Sequence, residues 1–138
     1  MEEAFAPQSA VIRLKDDIDV NRGNVIANKS SMPKVSQELE AMICWMDSKP
    51  LTPGNKYLLQ VHGKVVRCVV KEINYKLDVN TLVKHDNIGQ AGLNDIVNIT
   101  IKTASPVVFD TYESLRANGG AILIDETAFN TVAGCMLQ

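Results

Sequence analysis

The sequence predicts an all-β domain, a small barrel or sandwich, on three observations. Apolar and polar residues alternate with period two through most of the apolar runs, the pattern of strands that turn one face to a core. Turn-forming strings separate those runs: "TPGN" at 52–55, "HGK" at 62–64 and "NGG" at 118–120, the last suited to positive φ. β-Branched residues are plentiful, and a hydrophobic fraction of 46% over 138 residues is enough for one real core.

In chain order, "AVIRL" at 10–14 and "NVIA" at 24–27 flank the polar link "KDDIDVNRG", at whose end Gly23 can turn the chain. The segment "VSQELEAMICWM" at 35–46 reads two ways. Val35, Leu39, Met42, Ile43 and Met46 have helical spacing, and Glu, Leu, Ala and Met favour helix. As a strand it would place Leu39, Ala41, Ile43 and Trp45 on one face, and the all-β surroundings favour that reading. In "KYLLQVHG" at 56–63, Tyr57, Leu59 and Val61 share a face opposite Gln60 and His62. In "KVVRCVVKEINYKLD" at 64–78 the apolar phase runs Val66, Cys68, Val70 and then switches to Ile73, Tyr75, Leu77. A flip of phase inside one run needs an extra residue, which predicts a β-bulge near Lys71–Glu72. In "IVNITIK" at 96–102, Val97, Ile99 and Ile101 face away from Asn98, Thr100 and Lys102. A short helical turn fits "DTYESLRA" at 110–117, where Asp110 and Glu113 have capping-box spacing. "AILI" and "TVAGCM", separated by the polar "DETAFN", read as a closing hairpin. The expected core is Ile43, Trp45, Leu59, one of Val69 and Val70, Ile99, Ile122 and Ile124.

Motifs that carry chemistry are missing from this string. "GK" at 63–64 lacks the upstream glycine and following Ser or Thr of a phosphate loop and sits between strands, not at a helix start. No guanine-reading aspartate follows the Asn-Lys pairs at 28–29 and 55–56. His62 and His85 are loop histidines without a positioned partner, and Asp16, Asp17 and Asp19 have no EF-hand spacing. Cys44, Cys68 and Cys135 are widely spaced packing residues, neither a disulfide framework nor a zinc site. A net charge of −2 and few aromatics argue against nucleic acid, and Arg67, Lys71 and Lys64 read as a solvated strand face. No apolar run approaches the roughly 18 residues of a membrane span, and the acidic N-terminus does not read as a signal peptide, so a cytoplasmic location is expected. The expected catalytic, cofactor and metal residues are none. If 38–46 is a strand, Met42, Cys44 and Met46 lie together outside the barrel, and a contiguous apolar strip needs a cover. They are the candidate interface.

Longer strings carry a resemblance. "DIDVNRGNVI" at 17–26 resembles the join between the second and third domains of translation-factor-like GTPases. "CWMDSKPLTPGNKYLLQVHGK", "INYKLDVNTL" and "GLNDIVNITIKTASPVVFDTY" resemble the third domain of one branch, the large GTP-binding subunit of bacterial sulfate adenylyltransferase. The closing hairpin is similar to that of the same domain and, more distantly, of elongation factor Tu. The resemblance implies residues 1–30 as the tail of domain 2 and an interdomain link, and 34–138 as a closed antiparallel domain 3 β-barrel of the elongation factor Tu type. It implies GTP and magnesium in a first domain outside these residues. The implied partners are that GTPase domain and a small catalytic subunit, in an enzyme that makes adenosine 5′-phosphosulfate from ATP and sulfate. The rival reading is the tRNA-contacting third domain of a translation-factor GTPase.

Overall fold

The alternating runs pair until they close on themselves. The computed structural model describes residues 3–138. Its strands are β1 (Lys34–Trp45), β2 (Lys56–Val61), β3 (Lys64–Leu77), β4 (Lys84–His85), β5 (Ile96–Phe109), β6 (Gly120–Ile124) and β7 (Thr131–Leu137). The order is β2-β6-β7-β1-β5-β3, and β3 pairs back onto β2, giving a closed six-stranded antiparallel barrel. The two residues of β4 extend one end of β3.

β1 resolves the ambiguous segment. It pairs with β5 on one side and β7 on the other, and that pairing outweighs its helical propensity. Leu39, Ala41, Ile43 and Trp45 are all buried inside. The same face collects Leu59 and Val61 from β2, Val66, Cys68 and Val70 from β3, and Val97, Ile99 and Ile101 from β5. The Trp45 ring meets Tyr57 edge-on at 5.7 Å and its Nε1–H donates to the Lys49 carbonyl at 2.8 Å. Of the two valines left open, Val70 is fully buried and Val69 only half so. The bulge falls where the phase flips, between Val70 and Glu72. A second bulge, between Ile73 and Tyr75, carries Asn74 as its extra residue.

Four sequence expectations are corrected. Past the second bulge Tyr75 stands opposite Asn98 and Leu77 opposite Ile96, on the outward face, so of the expected set Ile73, Tyr75 and Leu77 only Ile73 is core. Ile122 and Ile124 are not core: Ala121 and Leu123 face inward and the two isoleucines outward. An unbroken apolar run satisfies either phase. Pairing decides, because Leu123 stands opposite Leu59 on β2 and Ala133 on β7, both inward residues. The "NGG" glycines do not supply positive φ. Gly119 ends α1 (Arg116–Gly119) and Gly120 opens β6 at φ −83°. Gly119 is required for space, since a Cβ there would run into the backbone of Thr111 and Tyr112. The helical turn exists, but Asp110 does not cap it. The Ser114 N–H is directed at Thr111 Oγ1 at 3.3 Å, and Asp110 accepts from Asn118 Nδ2 at 3.0 Å. Positive φ does occur at Gly54 of "TPGN" and at His62 of "HGK".

Residues 3–33 carry no strand. The 10–14 and 24–27 runs therefore stand unpaired, with Val11, Ile12 and Ile26 exposed. Gly23, at φ +92°, sits in the turn closed by Asn24 N–H to the Asn21 carbonyl. Its α-carbon packs so closely on Lys64 that a Cβ would come within 3.1 Å of that side chain. Lys64 Nζ in turn donates to the Pro106 carbonyl at 2.7 Å. The link is thus seated on the turn between β2 and β3.

Candidate docking surface

The aspartates in the family strings are turn chemistry. Asp47 Oδ1 accepts from the Lys49 N–H at 3.2 Å. Asp78 Oδ1 accepts the N–H groups of Asn80 and Thr81, and Asp125 Oδ1 those of Thr127 and Ala128. These donors hold the Asp78 and Asp125 carboxyls below the ordinary carboxylate range. At Asp95, partial burial works against ionisation. The 2.7 Å contact with Lys76 Nζ and the Gly92 N–H outweigh it, so this carboxyl too titrates low. Asn94, at φ 68°, donates its N–H to the Trp45 carbonyl, and Trp45 donates to the Asp95 carbonyl. "WMD" and "LND" therefore clasp each other across one barrel end. These four carboxylates are committed to shape.

The buried cysteines are equally inert. Burial pushes the Cys68 and Cys135 thiols up to about 12, far from the thiolate needed for nucleophilic chemistry. Among the described residues no group of three or more His, Cys, Asp or Glu side chains is arranged to hold a metal.

What the outer face offers is an apolar belt. Met42 and Cys44 project outward from β1, Met42 half-buried and Cys44 exposed. Met46 lies one residue past the strand, 46% exposed, its N–H donating to the Val132 carbonyl. Register places Met42 between Met136 on β7 and Asn98 on β5, and Cys44 between Gly134 and Ile96. Ile122 stands beside Gly134, so the outward isoleucine extends the belt onto β6. Over Gly134 the belt dips into a groove of about 610 Å³ that reaches His62, whose Nε2 is buried without a hydrogen-bond partner.

On the other side of Met42 the surface is polar but covered. Asn98 is only 1% exposed despite facing outward. The bulged Asn74 donates Nδ2 to Asn98 Oδ1 at 2.6 Å and to Thr100 Oγ1 at 3.1 Å, while Tyr75 O–H reaches Met42 Sδ at 3.5 Å. Sequence reading missed Ile122, Gly134 and Met136 as members of the belt. A glycine in the middle of the apolar run "TVAGCM" was the available signal, since glycine inside a strand often marks a close approach.

This fold, with its turn-forming strings, defines the C-terminal barrel class of translation-factor-like GTPases. Residues 38–138 match the family model described as GTP-eEF1A C-terminal domain-like, and the chain belongs to that family. Among curated relatives, it is 35% identical over 136 residues to sulfate adenylyltransferase subunit 1 of Sulfurovum sp. (strain NBC37-1), covering 99% of this chain and 28% of the relative. It is 37% identical to the bifunctional enzyme CysN/CysC of Mycobacterium tuberculosis, over 98% of this chain and 22% of the relative. It is 40% identical to sulfate adenylyltransferase subunit 1 of Francisella tularensis, over 97% of this chain and 28% of the relative. The chain thus spans about a quarter of the length of these relatives. In fold it is similar to the crystal structure of Sup35 complexed with GMPPNP, at a TM-score of 0.76 and 24% identity, over 90% of this chain and 30% of that one. Among the described residues no helix is long and apolar enough to cross a membrane.

Proposed function

We propose that this barrel is a non-catalytic docking module of the GTP-using subunit of a cytoplasmic sulfate adenylyltransferase. Residues 1–30 are the tail of the preceding barrel with its link, and 34–138 are the third domain. GTP and magnesium bind in a first domain. The chemistry that makes adenosine 5′-phosphosulfate from ATP and sulfate belongs to the small subunit. The observation that carries the reading is the outward belt of Met42, Cys44, Met46 and Met136 on a barrel in which Asp47, Asp78, Asp95 and Asp125 are engaged in turns. An apolar strip of this kind needs a cover, and the GTPase domain or the small subunit supplies it.

The test is Cys44→Lys with Met46→Lys, both at exposed positions, in the complete two-subunit enzyme. The variant should fold, yet lose subunit or domain association and GTP-coupled synthesis together. Retention of both by a folded variant would place the interface elsewhere.

A further inference from the structure

We infer that the barrel carries a second docking site, a cationic crevice that takes an extended acidic segment of a partner protein. It arises where two strands part. β3 pairs with β2 from Lys64 to Val69, but pairs with β5 only from Cys68 onward. On β5, residues 104–106 have no ladder partner in β1 or β3, because β1 shifts register between Ser36 and Glu38. The neighbouring strands of a closed barrel thus stand apart at one end. On β5 the carbonyls of Ala104, Ser105 and Pro106 accept from Gln37, Thr103 and Lys64 side chains and Pro106 has no N–H, so the unpaired backbone edge is that of β3 before Cys68. Such an edge is a template for an added strand.

The crevice between them holds about 290 Å³ and is floored by the buried Tyr57, Cys68 and Thr103. Lys56, Arg67 and Lys102 stand around it. Arg67 is paired with Glu126 at 2.8 Å, and nearby Lys71 with Glu38 at 3.1 Å. Lys56 and Lys102 make no ion pair among the described residues. Two uncommitted cations thus flank an apolar floor on a chain whose net charge is −2. Charge complementarity selects a segment in which carboxylates alternate with apolar side chains, since alternate residues of a strand point to opposite sides. A nucleic acid is the poorer match: the one aromatic ring at the floor, Tyr57, is 7% exposed and offers no stacking platform. The crevice lies apart from the apolar belt, around β3 and β5 rather than β1 and β7, so it does not depend on the reading of that belt.

The test is fluorescence anisotropy on this chain with a labelled peptide alternating glutamate and leucine. Peptides with lysine or serine in place of glutamate, and a single-stranded oligonucleotide, are measured alongside. The glutamate peptide should bind about tenfold or more tighter than the other peptides, and weaken with added salt. Lys56→Glu with Lys102→Glu should abolish this binding while the melting temperature holds, and the milder Lys56→Gln with Lys102→Gln should reduce it. Equal affinity for the three peptides, or unchanged binding by the folded variants, overturns the proposal. So does tighter binding of the oligonucleotide, or a self-association in sedimentation that the lysine variants remove.

Discussion

Ile99 sits fully buried at the middle of β5, opposite Ala41 on β1 and Ile73 on β3. Truncation there removes transfer energy and leaves a cavity that two paired strands cannot collapse around. Ile99→Ala should cost about 2–5 kcal/mol in urea unfolding. A cost near zero would mean the register is wrong. Gly119 is under the opposite constraint, space already filled. Gly119→Ala should destabilise by roughly 1–3 kcal/mol or more, because the new methyl meets the backbone of Tyr112 and not a side chain that can swing aside. Far-ultraviolet circular dichroism melts would report it. Two residues that look alike in a string, Gly119 and Gly134, thus have opposite physical roles.

Among the elements, β7 contains the test of the belt. A Cβ at Gly134 would meet nothing within 4 Å, so the barrel itself makes no demand for glycine there. Gly134→Val should raise stability by about 0.5–1 kcal/mol, since glycine inside a strand is costly. If the groove is a docking surface, the same substitution should weaken association in the complete enzyme. A variant that is both more stable and fully competent would show that nothing enters the groove. The turns hold the pH dependence. The carboxyls of Asp78, Asp95 and Asp125 are depressed in the fold. Their contribution is complete above the unfolded value near ~4 and is lost as pH falls below it through the folded values. Melting temperature should therefore be flat from neutral pH to about 5 and drop below about 4. Asp125→Asn, which keeps an acceptor in the turn, should make that drop shallower.

For the whole molecule, the expectation concerns what the barrel does not do. Among the described residues the only helix, α1, is four residues long, and no glycine-rich loop opens a helix to cradle phosphate. Titration calorimetry of this chain with GTP and magnesium should be flat. Binding in the micromolar range would overturn the assignment of nucleotide chemistry to another domain. The closed ladder leaves stability in the barrel wall and interaction on its outer surface, which is what a docking module requires.

Local pattern was enough for the all-β class, the facing of β2 and β5, and the bulge at Lys71–Glu72. Each rests on strict alternation or a break in it, and alternation is a local property of the chain. The family strings were legible too, because turn-forming aspartates and glycines act within a few residues of themselves. The rest was settled by pairing between distant strands. Segment 35–46 became a strand because β5 and β7 offered it partners on both sides. Ile122 and Ile124 turned outward because Leu59 and Ala133 fixed the phase of a run that was apolar throughout. The candidate surface changed with them. Met42 and Cys44 were visible from their own strand, but Ile122 and Met136 join them only when β6 and β7 close beside β1. Which side chains share a surface is set by long-range pairing, and no local period encodes it.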